Sequence, residues 1–80
     1  MELEILTEEK IEKRGRYTLA ICQVYWPFMT QNGWMFRLRY YEAIAKDGYF
    51  ELTREACEEA GRQCLNQLAK SKKRKVANTH

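Results

Sequence analysis

The sequence predicts an α+β fold in which one C-terminal helix packs on one face of a three-stranded antiparallel meander. Residues 34–41 alternate with a period of two, which is the pattern of a strand with one buried face. An Asn-Gly dipeptide precedes this segment and an Asp-Gly dipeptide follows it, and both favour hairpin turns. After residue 53, apolar residues recur at spacings of three and four, as on the buried stripe of a helix.

The N-terminal segment predicts a short additional strand or helix. Residues 1–6 alternate apolar and acidic side chains, which favours a strand. Thr7 is then followed by two glutamates, which is typical of a helix start, and Gly15 would end that helix. Residues 16–26 are rich in β-branched and aromatic residues and predict a strand that ends at Pro27, because proline cannot donate to a ladder.

The rest of the meander follows from the turn signals. Residues 27–33 form the predicted connection, and residues 34–44 form the central strand. One face of this strand carries the large apolar residues, Trp34, Phe36, Leu38 and Tyr40. Residues 45–48 predict the next turn, and residues 49–52 a short last strand.

The helix is predicted to start after Thr53 as N-cap and to run to about Lys70. Its apolar stripe is mostly small, which allows close packing on large strand residues: Ala56, Cys57, Ala60, Cys64, Leu65 and Leu68. Gly61 costs roughly 1 kcal/mol relative to alanine within a helix, so we expect it to serve close packing against an aromatic side chain. Residues 1–70 therefore predict one small domain, and residues 71–80 a disordered basic tail.

The positive charge of the chain is concentrated near its C-terminus. The net charge is +3, yet nine Lys and Arg residues and all eleven Asp and Glu residues precede Lys70, so that part is near −2. The chain shows no signal peptide and no apolar run of about 18 residues, which predicts a cytoplasmic protein without a membrane span. An apolar content of 45% excludes a disordered chain.

The sequence predicts no catalytic residue, cofactor, metal site or small-molecule substrate. The single histidine is the last residue, and all four glycines are isolated. The three cysteines show no C-x-x-C spacing, and two helical turns separate Cys57 from Cys64, too far for a disulfide. We therefore expect the cysteines to act as small buried hydrophobes and the protein not to be an enzyme.

Protein binding is the first function that the sequence predicts. One small-residue helix cannot cover both sides of the second strand and the apolar connection after it, so surplus apolar surface indicates an interface. The predicted interface residues are Leu19, Ile21, Tyr25, Trp26, Phe28 and Met29. A protein partner or a homodimer would cover them; alternatively, Leu3, Ile5 and Ile11 cover them within the chain. By analogy, such compact modules are typical of phage or mobile-element accessory proteins.

Nucleic-acid binding is the alternative. On the sheet face away from the helix, Arg37, Arg39 and Tyr41 suit phosphate contact and base stacking. The tail adds a basic run, formed by Lys72, Lys73, Arg74 and Lys75. From Gly33 to about Leu68 the layout resembles three-stranded DNA-binding domains of the phage integrase arm-binding type, through Trp34, Arg37, Arg39, Gly48, Phe50, Thr53 and Ala56. This resemblance implies DNA contact through the sheet.

Overall fold

A computed structural model of the protein describes the backbone of residues 2–77 and the side chains of residues 2–70. In this range the chain forms one antiparallel sheet with strand order β1-β2-β3-β4, followed by a C-terminal helix, α1. The elements are β1 (Glu4–Arg14), β2 (Tyr17–Trp26), β3 (Gln31–Tyr40), β4 (Ala43–Asp47) and α1 (Arg54–Ala77). The α+β class is confirmed, but the sheet has four strands where three were predicted.

The N-terminal segment is one continuous strand, so the predicted helix after Thr7 is wrong. β1 pairs with β2 along its whole length, from Glu4 opposite Tyr25 to Arg14 opposite Tyr17, with irregularities in register on the way. Pairing with β2 satisfies the backbone groups of this segment, and this tertiary gain outweighs the local preference for a helix start. Gly15, at a φ of 63°, makes the turn between the two strands.

The reversal between β2 and β3 lies before the Asn-Gly dipeptide, so the predicted hairpin turn there is wrong. A 3-10 helix (Pro27–Met29) makes the reversal, and Thr30 follows it in a left-handed conformation with φ 46°. Gly33 instead lies within β3, opposite Val24. A Cβ atom on Gly33 would lie 2.4 Å from the ring of Phe50, so this position needs glycine for packing and not for a turn.

The second predicted turn is also displaced. The chain reverses at Tyr41, which has a φ of 59°, so the predicted strand over residues 34–44 divides into β3 and β4. Gly48 lies beside β3, where its N–H donates to the carbonyl of Phe36 over 2.9 Å. Residues 49–52 do not form the predicted strand, although Glu51 exchanges two backbone hydrogen bonds with Trp34 in β3.

The start of α1 matches the prediction. The hydroxyl oxygen of Thr53 accepts a hydrogen bond from the N–H of Ala56 over 3.1 Å and so caps the helix. The backbone stays helical to Ala77, beyond the predicted end at about Lys70. The tail predicted over residues 71–80 lies outside the described side chains, and its last three residues lie outside the described backbone.

α1 packs on the sheet face that the alternation in β3 predicts. A buried cluster joins two residues of each of three elements: Leu19 and Ile21 in β2, Phe36 and Leu38 in β3, and Cys57 and Leu65 in α1. A Cβ atom on Gly61 would lie 2.7 Å from Leu19 and 3.1 Å from Phe36. The close packing predicted at Gly61 is confirmed, and the helix packs there against the aliphatic Leu19 as well as the aromatic Phe36.

The opposite face of the sheet is largely covered within the chain, which corrects the prediction of an open face. Its buried residues are Ala20, Cys22, Val24 and Met35. Leu3 and Phe50 pack against the last three of these. Leu3 thus provides part of the internal cover that was considered as an alternative, whereas Ile11 packs against the cluster under α1 and Ile5 stays exposed.

Candidate functional site

A layer of ion pairs lies on the face opposite α1, beside its buried residues. Arg39 in β3 donates from Nε to Glu8 Oε2 over 2.9 Å, and Arg37 donates from Nε to Asp47 Oδ1 over 2.8 Å. Arg37 Nη1 also lies 3.7 Å from Glu8 Oε1. These four side chains, which we call the ion-pair layer, join β1, β3 and β4. Only 15% of the Arg37 side chain and 22% of the Arg39 side chain are exposed.

The ion-pair layer offsets the charge that was predicted to contact phosphate. Two carboxylates face two guanidinium groups, so the net charge of the layer is zero. The hydrogen bond from Arg39 lowers the pKa of the Glu8 carboxyl, and the hydrogen bond to Asp47 raises the pKa of the Arg37 guanidinium. Sequence inspection missed Glu8, because its setting resembled the start of a helix.

The lowered pKa of Glu8 predicts a loss of stability in acid. The folded state binds this proton less readily than the unfolded state, so the contribution of Glu8 to stability is present above its ordinary pKa of 4.5 and is lost as the pH falls through the lowered value. We expect the free energy of unfolding from urea titrations to fall more steeply below pH 4.5 in the wild type than in Glu8→Gln. Glu59→Gln, an exposed change on α1, should keep the wild-type slope; equal slopes in all three proteins would contradict the prediction.

The other predicted nucleic-acid contacts are not members of the ion-pair layer. Tyr41 is in the turn between β3 and β4, where its N–H donates to the carbonyl of Arg16 and the Arg16 guanidinium lies 5.7 Å from its ring centre. The basic run of residues 72–75 lies on the helical backbone of α1, but its side chains fall outside the described part of the chain.

The structure divides the predicted protein interface. Leu19 and Ile21 are buried beneath α1 and cannot contact a partner, because the helix covers their face of β2. Tyr25 is partly buried near the end of β2, opposite Asn32. The remaining three residues, Trp26, Phe28 and Met29, stay together at the end of the β2–β3 hairpin.

These three residues and two further ones form an apolar surface at that end of the sheet. Phe28 is 87% exposed, Met29 55% and Leu52 68%. Trp26 lies between two shallow hollows: one also contains Phe28, and the other contains Met29, Phe50 and Leu52. The rings of Trp26 and Phe50 pack with centres 5.2 Å apart. We call these five residues the hairpin-end patch.

Sequence inspection did not assign Phe50 and Leu52 to this surface. Both were placed in a last strand of the meander, where one face would be covered. The sequence did contain a signal against a regular strand in this segment. Residues 49–52 directly follow a glycine and directly precede the helix cap, which leaves little room for a regular strand. Only the fold brings the segment beside the β2–β3 hairpin.

The hairpin-end patch contains an unsatisfied donor. The indole N–H of Trp26 is buried and has no hydrogen-bond acceptor among the described residues. A buried donor without an acceptor costs roughly 1–3 kcal/mol, so such groups are rare in the interior of a folded chain.

Two of the three cysteines, Cys22 and Cys57, are buried. Burial raises the pKa of the Cys22 thiol to about 11 and that of the Cys57 thiol to about 12, so both are protonated at neutral pH. The half-buried Cys64 packs against the cluster under α1. Among residues 2–70, no group of three or more His, Cys, Asp or Glu side chains is placed to hold a metal ion.

Comparisons with known proteins add no assignment: no family model, no curated protein and no solved structure matches this chain. Within the described residues, α1 is too polar to cross a membrane.

Proposed function

We propose that this protein is a small non-enzymatic interaction module that binds another protein, or a second copy of itself, through the hairpin-end patch. The supporting observation is the exposure of Phe28, Met29 and Leu52 around Trp26. Met29 and Leu52 line one hollow beside Trp26, and Phe28 lines the other. Single exposed apolar residues are common on protein surfaces, but a contiguous group of large ones usually marks a contact site. Aromatic residues and methionine are also enriched at the centres of interfaces.

The rest of the surface favours this location over others. On the sheet face opposite α1, the ion-pair layer already satisfies its own charges. The exposed edge strand β1 carries many charged residues and irregular register, two features that discourage strand addition. Compared with these two surfaces, the hairpin-end patch is the better candidate for binding a partner. The setting proposed for it is the cytoplasm, and by analogy we place it with the compact accessory proteins of phages and mobile elements.

The proposal is tested by affinity capture from an extract of the producing cells, with light scattering of the purified chain beside it. We expect the wild type to capture a defined protein, or to dimerise, and Phe28→Ser/Met29→Ser to lose about tenfold or more of that binding. Both residues are exposed, so the variant should fold, which circular dichroism checks.

Ile44→Ser is the matched control, because Ile44 is an exposed apolar residue on β4, away from the hairpin-end patch. It should bind like the wild type. The proposal would be contradicted if the wild type and both variants captured the same proteins and had the same oligomeric state by light scattering.

Nucleic-acid binding remains a second candidate, and one observation favours it. The backbone of α1 is helical to Ala77, which places the basic run of residues 72–75 on a helix. We expect weak, salt-dependent anisotropy changes with DNA or RNA that disappear when Lys72, Lys73, Arg74 and Lys75 are changed to alanine. Because the arginines of the ion-pair layer are engaged, Arg39→Ala should have little effect. Absence of salt-dependent binding at two salt concentrations would remove this candidate.

A further inference from the structure

Each of the two hollows of the hairpin-end patch has one acidic residue and no basic residue among the residues that line it. Glu2 lines the hollow that contains Phe28, and Glu51 lines the hollow that contains Leu52. Glu55 is exposed in the first turn of α1, two residues beyond Thr53, which lines the second hollow. We call these three glutamates the acidic rim.

No cation from the described chain offsets the acidic rim. Among the described residues, no ion pair joins Glu2, Glu51 or Glu55 to a basic side chain. The basic residue nearest in sequence, Arg54, is held by Glu9 and Glu58 over 3.2 Å and 2.6 Å. The apolar side chains of the patch therefore lie near carboxylates that no described basic side chain pairs with.

This charge pattern disfavours a second copy as the occupant. A twofold dimer would place the same patch on both sides of the interface, so each acidic rim would face an identical one. Like charges brought together at an interface oppose association. A partner with basic residues around an apolar centre would complement both the apolar side chains of the patch and the acidic rim.

We propose that the hairpin-end patch binds a basic amphipathic segment of a partner protein. Its apolar side chains would fill the two hollows, and its Lys or Arg residues would face the acidic rim. This inference rests on the proposed function and adds the chemistry of the partner.

The probe is a fluorescent amphipathic helical peptide built from leucine and lysine, and its counterpart has glutamate in place of lysine. We expect the full chain to bind the lysine peptide at least about tenfold more tightly than the glutamate peptide in an anisotropy titration. Phe28→Ser/Met29→Ser should lose this binding. Glu51→Gln/Glu55→Gln should weaken it and reduce its salt dependence.

Glu42→Gln is the control for charge, because Glu42 lies in the turn between β3 and β4 at the other end of the sheet. It should bind the lysine peptide like the wild type. Equal affinities for the two peptides, or equal effects of Glu42→Gln and Glu51→Gln/Glu55→Gln, would overturn the inference. If the capture experiment still depends on Phe28 and Met29, protein binding stands and only the chemistry of the partner fails. A dimer that dissociates in Phe28→Ser/Met29→Ser would assign the patch to a second copy and would also overturn the inference.

Discussion

Leu65→Ala is expected to unfold most of the protein at room temperature. Leu65 is fully buried and packs from α1 into the cluster formed with β2 and β3. Removing such a side chain costs roughly 2–5 kcal/mol, because transfer energy is lost and a cavity remains. A single core of this size supplies only about 3–5 kcal/mol in total, so the loss is comparable with the whole stability.

Urea titration followed by circular dichroism measures this effect. The wild type should give a cooperative transition, and Leu65→Ala should give a transition at much lower urea or none. Leu52→Ala removes the same atoms from an exposed leucine of the hairpin-end patch and should change stability by about 0.5 kcal/mol or less. A loss below about 1 kcal/mol in Leu65→Ala would mean that α1 does not hold the core as described.

Gly33→Ala should destabilise the fold by about 1–3 kcal/mol, although alanine normally improves a strand. The added Cβ atom would lie 2.4 Å from the Phe50 ring and 2.7 Å from the carbonyl oxygen of Glu51. The backbone oxygen cannot move freely, because Glu51 is bound to Trp34 by two hydrogen bonds. The substitution must therefore displace the segment that carries Phe50 and Leu52, two of the five residues of the hairpin-end patch.

A double-mutant cycle with Phe50→Ala tests the cause of this loss. If the ring of Phe50 is the obstacle, Gly33→Ala should cost clearly less in the Phe50→Ala background than in the wild type. The same cost in both backgrounds would assign the loss to Glu51 alone. A neutral or stabilising Gly33→Ala would show that packing does not require this glycine.

Turn dipeptides misled the prediction at two places for the same reason. Asn-Gly and Asp-Gly favour hairpins because glycine adopts positive φ readily. In this chain Gly33 and Gly48 are instead places where an aromatic ring lies over the backbone, Phe50 in one case and Phe36 in the other. The local sequence shows that glycine lacks a side chain, but it does not show which distant residue packs against the glycine.

The candidate site was predictable only in part. Phe28 and Met29 were recognised because large apolar residues are unusual in a connection between strands. Trp26 was recognised because both faces of the predicted second strand are apolar. Leu19 and Ile21 were included wrongly, since the two faces of β2 look equally apolar in sequence and only the position of α1 distinguishes them. Pairing of Glu8 with Arg37 and Arg39 joins residues far apart in the chain, so no local pattern could predict it.

The sequence by itself determined the α+β class, the start of α1 at the Thr53 cap, and the face of β3 that packs beneath the helix. Those features depend on hydrogen bonds and periodicities within a few residues, which the local order of side chains specifies. Only the tertiary structure decided that residues 4–14 form a strand, that carboxylates cover the predicted arginine face, and that Leu52 joins the hairpin-end patch. These outcomes depend on contacts between distant segments, whose free energy exceeds the small local preferences that opposed them.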